Sequence, residues 1–280
     1  MSFTKVKKGV CAAKGFVANG LNCGLNSDKN KNDLALVYSE TQCQAAAVYT
    51  TNKVKGAPIQ VTKAHLEASG HTAKAVIANS KNANTCNADG VEKAQRMCEL
   101  AAAELSIDPN EVIVASTGVI GQVLPIEPIE SHIKELAKGL SADGNDKAVN
   151  AIMTTDTVPK QYAVKFMLGD CECTVGGMAK GSGMIHPNMA TTLNFITSDV
   201  AISSELIQKA LSEIVKVTYN CLSIDGDTST NDMVSIMANG LAGNTPITTE
   251  NDDYQAFKDA LYEVCLLYTS PSPRDPKTSR

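Results

Sequence analysis

No run of about 18 apolar residues occurs anywhere in the 280-residue chain, so no membrane-spanning helix is expected. Positive charge is not in excess: 25 Lys and Arg stand against 30 Asp and Glu, for a net charge of −5. No broad basic surface follows, which argues against a nucleic-acid partner. The opening Met1-Ser2-Phe3-Thr4-Lys5 lacks the apolar core of a secretory signal, and a cytoplasmic location is expected. Metal-ligand spacing is missing too. His65, His71, His132 and His186 form no cluster, and of nine scattered cysteines only Cys171-Glu172-Cys173 makes a close pair. With no second pair to complete a site, that pair reads as part of a strand, no metal is expected, and the cysteines read as free thiols.

What is present is ordinary for a globular protein: 43% hydrophobic and 20% charged residues, enough chain for one large or two ordinary domains. Asp33–Ser39 and Ala45–Thr50 read as two β-prone segments separated by a polar turn, and Lys74–Asn79 as a buried strand. Asn79–Cys86 is a polar, asparagine-rich loop, read either as surface or as part of a site. Val91, Ala94, Met97 or Cys98, and Ala101 recur at helical spacing from Asp89 to Leu105. Glu111–Ala115 is a buried strand ending in Ser116-Thr117-Gly118-Val119-Ile120-Gly121. Helices are expected at residues 59–69, at Ile129–Leu136 and at Lys147–Thr155, with a hairpin of Tyr162–Phe166 and Cys171–Val175 after them. A further helix starts at Ser203 with hydroxyl capping, followed by a strand over Met233–Gly240 and a last helix from Tyr254 to Val264.

The chemically informative stretch is Gly176-Gly177-Met178-Ala179-Lys180-Gly181-Ser182-Gly183-Met184-Ile185-His186-Pro187-Asn188-Met189-Ala190-Thr191-Thr192. Glycines allow close backbone approach and positive φ. Two threonine hydroxyls follow a small alanine. A threonine hydroxyl becomes a nucleophile when a base takes its proton, and a chain's own free α-amine is one such base. Freeing that amine requires a cut before the threonine. On the residues alone, a glycine turn entering a buried strand is an equal reading, and either hydroxyl could be the one used.

The wording of Lys180–Ile185 and Pro187–Thr191 closely resembles the self-cleavage site of the ornithine acetyltransferase (ArgJ) family, the glutamate N-acetyltransferases of arginine biosynthesis. The resemblance implies a cut between Ala190 and Thr191, with Thr191 as nucleophile; Thr192 departs from the larger apolar residue usual in the family. It assigns the oxyanion donors to Thr117 and Gly118, which otherwise read as a strand-to-loop turn. It makes Thr154 a substrate contact, with Thr155 as competitor and helix capping as the alternative, and gives Lys180 the role of positioning substrate or neutralising a carboxylate. Asp225–Asp232 matches a family loop near the site, and its Asp-x-Asp spacing does not complete a calcium loop.

The resemblance further implies an α/β fold, a DmpA/ArgJ-like layered sandwich of helices on mixed β-sheets, incomplete at its C-terminus. The expected division is an α chain of residues 1–190, the start of a β chain at 191–264, and a non-native tail at 265–280 that resembles a translated sequencing adapter. The later family motif Asp-Gly-Glu-Gly, whose Glu binds substrate, is absent from this sequence. The implied reaction moves the acetyl group of N-acetylornithine to glutamate through acetyl-threonine. No cofactor is expected, although acetyl-CoA serves bifunctional members as co-substrate. The implied assembly is a heterotetramer of the cleaved α and β chains. The alternative is an N-terminal-nucleophile amidohydrolase or aminopeptidase on a related scaffold, with water as acceptor.

Overall fold

A computed structural model of the chain describes residues 2–181, 192–221 and 227–269. In chain order its elements are β1 (Thr4–Val6), β2 (Phe16–Leu21), β3 (Leu34–Tyr49), α1 (Ala57–Ala68), β4 (Thr72–Asn79), α2 (Gly90–Leu105), β5 (Val112–Ser116), α3 (Glu127–Lys138), α4 (Asn145–Ile152), β6 (Lys160–Leu168), β7 (Cys171–Lys180), β8 (Leu193–Ser198), α5 (Ser204–Val217), β9 (Met233–Ala238) and α6 (Asp252–Thr269). The strands form one mixed sheet in the order β1-β6-β7-β8-β9-β3-β4-β5, with β2 paired to β3. The β4–β5 and β8–β9 pairs are parallel, and the others antiparallel. The fold is α/β and layered, as expected.

β3 joins the two halves of the sheet. Its first part pairs with β2 and β4, and Gln44–Tyr49 pairs with β9. The two segments expected here are therefore one strand. A register irregularity between Tyr38 and Cys43 absorbs the polar interruption, because a bulge bends a strand without ending it. Gln42, within it, stays tied to the sheet region by a 2.8 Å hydrogen bond from Nε2 to Glu111 Oε1.

Three apolar cores cover the sheet. α1, α2 and α3 pack on the β2–β5 half, burying Leu34, Ile77, Val114 and Met97. α5 and α6 pack on β6–β9, where Ile207, Leu211, Phe257 and Leu261 are fully buried. Each such side chain contributes about 1.5–3 kcal/mol of transfer free energy. α4 closes the opposite face against Ala35, Val37, Ile113 and Phe195. Ser203 caps α5 by accepting the Leu206 N–H at 3.5 Å, as expected.

Three further differences from the sequence reading have physical causes. The buried stripe of α2 runs Gly90, Ala94, Met97, Cys98 and Ala101, whereas Val91 is 49% exposed; Gly90 takes the buried place because a Cβ there would lie 3.0 Å from both Ala57 Cβ and Asn84 Oδ1. Gly176 and Gly177 lie inside β7 rather than in a loop, since a Cβ at Gly176 would come within 2.2 Å of the Gly9 carbonyl oxygen crossing the sheet. The last helix does not stop at Val264. It reaches Thr269, and Cys265 is buried in the core beneath α6.

Candidate active site

Two strand ends and two polar loops meet where the sheet's halves join. β5 is a run of β-branched and small residues, suited to burial on both faces. Its end delivers Thr117 and Gly118. The Thr117 N–H donates to the Asn79 carbonyl at 3.0 Å, and the Val119 N–H to the Lys81 carbonyl at 3.0 Å. Between them Gly118 takes φ 137°, and a Cβ there would lie 2.1 Å from Lys81 C and 2.5 Å from Asn82 N. Only glycine fits this left-handed, backbone-crowded position. Among the described residues the Thr117 hydroxyl makes no hydrogen bond, although the residue is buried.

β7 ends at Lys180, which is 5% exposed. Burial pulls its ammonium below the usual lysine range, while the charges of Asp156 and Asp232 act the other way. Among the described residues Lys180 forms no ion pair or side-chain hydrogen bond. Asp156 organises the approach to it. Its Oδ1 accepts from Lys160 Nζ at 2.6 Å and from the Gly181 N–H at 2.9 Å, and its Oδ2 accepts from the Thr154 N–H at 3.3 Å. Burial works against that carboxylate, but Lys160 and the Gly181 N–H outweigh it and hold the carboxyl below its ordinary range.

A cavity of about 410 Å³ lies between these elements, and Thr117, Gly118, Thr154, Lys180 and Asn231 line it. Four residues assigned from sequence, on three separate stretches, thus share one cavity. Thr155 lines it beside Thr154, so both hydroxyls of that pair border the space. Lys81 is the other cation on the wall, and no carboxylate is among the lining residues described. Ala190, Thr191 and His186 lie outside the described residues. Thr192 lies inside them. Its N–H donates to Asp232 Oδ1 at 2.9 Å and its hydroxyl to the Lys180 carbonyl at 3.0 Å. The Thr192 hydroxyl is therefore already committed to the backbone.

Two acids behind the wall were not singled out from sequence. Asp156 could have been found from the Thr154-Thr155-Asp156 turn with Lys160 four residues on. Asp232 ends the Asp225–Asp232 stretch matched to a family loop near the site, but nothing local set it apart from the other acids there. Burial pushes its carboxyl up to about 8, against the Thr192 N–H, Lys180 and Ser229, which favour the charged form. Its Oδ2 is buried and, among the described residues, without a hydrogen-bond partner. Asn79, Ser80, Asn82 and Asn84, read as a loop of undecided place, are buried. The asparagine side chains serve backbone groups: Asn79 Nδ2 donates to the Asn82 carbonyl, Asn82 Nδ2 to the Gln122 carbonyl and Asn84 Nδ2 to the Gly90 carbonyl. Among the described residues, no three His, Cys, Asp or Glu side chains are placed to hold a metal ion.

A sequence model described as the ArgJ family matches residues 17–271. The chain belongs to the ArgJ family. It is 50% identical over 250 residues, 89% of this chain, to the arginine biosynthesis bifunctional protein ArgJ 1 of Clostridium acetobutylicum. It is 48% identical over 97% of its length to the ArgJ protein of Bacillus subtilis. The chain spans 60% and 66% of the lengths of these two relatives. Among solved structures, it is similar to the ornithine acetyltransferase of Mycobacterium tuberculosis in complex with ornithine, with 35% identity and a TM-score of 0.61 over 69% of this chain and 100% of that one. No helix among the described residues is long and apolar enough to cross a membrane.

Proposed function

We propose that this chain carries the acyl-transfer centre of an enzyme that moves the acetyl group of N-acetylornithine to glutamate in arginine biosynthesis. The observation that carries the reading is the meeting of Thr117, Gly118, Thr154 and Lys180 on one cavity. β7 ends at Lys180, and Thr192, the residue next to Thr191 in sequence, is pinned behind that wall.

In this reading the precursor is cut between Ala190 and Thr191, leaving residues 1–190 as an α chain and Thr191 at the head of a β chain. The freed α-amine takes the proton of the Thr191 hydroxyl, which attacks the acetyl carbonyl. Negative charge develops on the carbonyl oxygen, where the Thr117 hydroxyl and the Gly118 N–H donate to it. The tetrahedral intermediate collapses with departure of the ornithine amine and leaves acetyl-Thr191. The glutamate amine then attacks the same carbonyl by the reverse sequence. Lys180, buried and without a carboxylate partner among the described residues, is suited to hold a substrate carboxylate, and Thr154 borders the same space. Acetyl-CoA is a second donor in this reading, the cleaved chains assemble as a heterotetramer, and the enzyme acts in the cytoplasm.

The test is N-terminal sequencing and transfer assay of the full-length gene product. A smaller chain beginning at Thr191 is expected. Thr191→Ala should abolish both the cut and the transfer. Thr192→Ala should spare most of both, since that hydroxyl is bound to the Lys180 carbonyl. Full transfer activity in an uncut chain would overturn the reading.

A further inference from the structure

One buried carboxamide ties together the end of β5, the Ala83–Thr85 loop and Thr230 on the cavity wall. Asn231 Nδ2 donates to the Ala83 carbonyl at 2.6 Å and to the Ser116 carbonyl at 3.0 Å. Its Oδ1 accepts from the Thr85 hydroxyl at 2.6 Å and from the Thr230 hydroxyl at 2.6 Å. Both donors and both lone pairs of the amide are used. The orientation of the amide is fixed by chemistry, because two carbonyls can only accept and the nitrogen must face them.

The bond to Ser116 has a specific consequence. The Ser116 carbonyl belongs to the peptide that leads into Thr117, and the N–H of that same peptide donates to the Asn79 carbonyl at 3.0 Å. That peptide plane is held on one edge by Asn231 and on the other by Asn79. Thr117 and Gly118 follow directly, so the plane sets where their donors point. Ala83 extends the link to the loop whose Lys81–Asn82 backbone crowds Gly118.

We infer that Asn231 is a positioning residue of the acyl-transfer centre, fixing the Thr117–Gly118 donors by bonding the Ser116 carbonyl to the loops of Ala83 and Thr230. This rests on the reading of Thr117 and Gly118 as oxyanion donors. Such donors act by preorganisation, and a displacement near 1 Å costs about a hundredfold in rate. The role is therefore in turnover rather than in ground-state binding.

The experiment measures kcat and KM for acetyl transfer in the full-length gene product. Asn231→Ala should lower kcat about a hundredfold with KM changed less than about threefold. Asn231→Asp is nearly isosteric but turns an oxygen toward two carbonyls. Burial favours its protonated form, which donates once, so its kcat relative to the parent should rise as pH falls. The groups bonded or packed at position 231 are the neutral Thr85, Thr230, Ala83, Ser116 and Gly56, with Asp232 adjoining it in sequence and the cations Lys81 and Lys180 on the same cavity wall.

Should those variants fail to fold, Thr85→Val removes one bond to Oδ1, and Gly56→Ala crowds it from outside the cavity lining, its Cβ falling 2.6 Å from Asn231 Oδ1. Both should lower kcat several-fold. Parental kcat in whichever of these variants fold, or an effect confined to KM, overturns the inference. Thr117→Ala separates the two levels. Parental turnover in Thr117→Ala would bring down the oxyanion reading itself, whereas a slow Thr117→Ala beside a fast Asn231→Ala would bring down only this inference.

Discussion

Gly118→Ala tests the strand end most directly. Two effects add. At φ 137° an alanine is outside its comfortable backbone regions, a strain of roughly 1–3 kcal/mol. The new Cβ would also sit 2.1 Å from Lys81 C, 2.4 Å from Lys81 O and 2.5 Å from Asn82 N, where ordinary contact begins at 3.4 Å. All three obstacles are backbone, so no flexible tip can swing aside. One of the two segments must shift by more than 1 Å. A misplacement of that size costs about a hundredfold in rate. Transfer from N-acetylornithine to glutamate by the full-length gene product should fall by at least that factor, together with a lower melting temperature. Gly121→Ala is the matched control. It also has positive φ, 78°, but a Cβ there meets nothing within 4 Å. It should lose some stability and keep most of its turnover. A Gly118→Ala enzyme within about threefold of parental kcat would show that the crowding is relieved without moving the donors, and the argument from this strand end would fail.

Thr117→Ala should reduce kcat by about 10²–10³ while leaving KM nearly unchanged, and equal weakening of apparent affinity with intact kcat would make Thr117 a binding residue only. Asp232 makes a prediction about pH. Its folded-state value of about 8 lies above the unfolded value near 3.9, so its contribution to stability is present at low pH and lost as pH rises toward 8. Asp232→Asn should gain melting temperature relative to the parent progressively between about pH 4 and pH 8, with no further gain above that. A difference that stays flat across this range would show that Asp232 is ionised throughout.

Much of the framework was legible because it rests on local signals. β4 and β5 are continuous apolar strands, the spacing of Ala94, Met97, Cys98 and Ala101 is helical, and Ser203 is a capping residue. What was not legible depended on contacts far along the chain. Gly176 is in a strand because Gly9 crosses over it, and no sequence window around residue 176 contains that information. Asn79–Thr85 is polar, which alone suits either water or a buried network. Its burial is decided by partners such as Asn231, 146 residues beyond Thr85. The division of β3 into two strands failed for a similar reason, since Glu40–Gln42 looks like a turn until the pairing of β9 with Gln44–Tyr49 is seen. At the site, the motif wording named Thr117, Gly118, Thr154 and Lys180, which the fold brings onto one cavity, but the burial of Asp156 and Asp232 near Lys180 emerged only from the fold.

Those acids explain why the site can keep a lysine buried at all. A buried ammonium with no partner would shed its proton rather than bear the cost of desolvation. Asp156 and Asp232 both favour the charged form of Lys180, yet neither bonds to it. Asp156 is occupied by Lys160 and two backbone N–H groups, and Asp232 by the Thr192 N–H. Asp156, kept ionised by Lys160 and the Gly181 N–H, thus lends Lys180 its field without closing a salt bridge around it, and Asp232 adds its charge only as it loses its proton near pH 8. A closed pair would have neutralised the cation and left it little reason to bind a substrate carboxylate. The cost falls instead on Asp232, whose Oδ2 is buried with no partner among the described residues and whose proton is held to about pH 8.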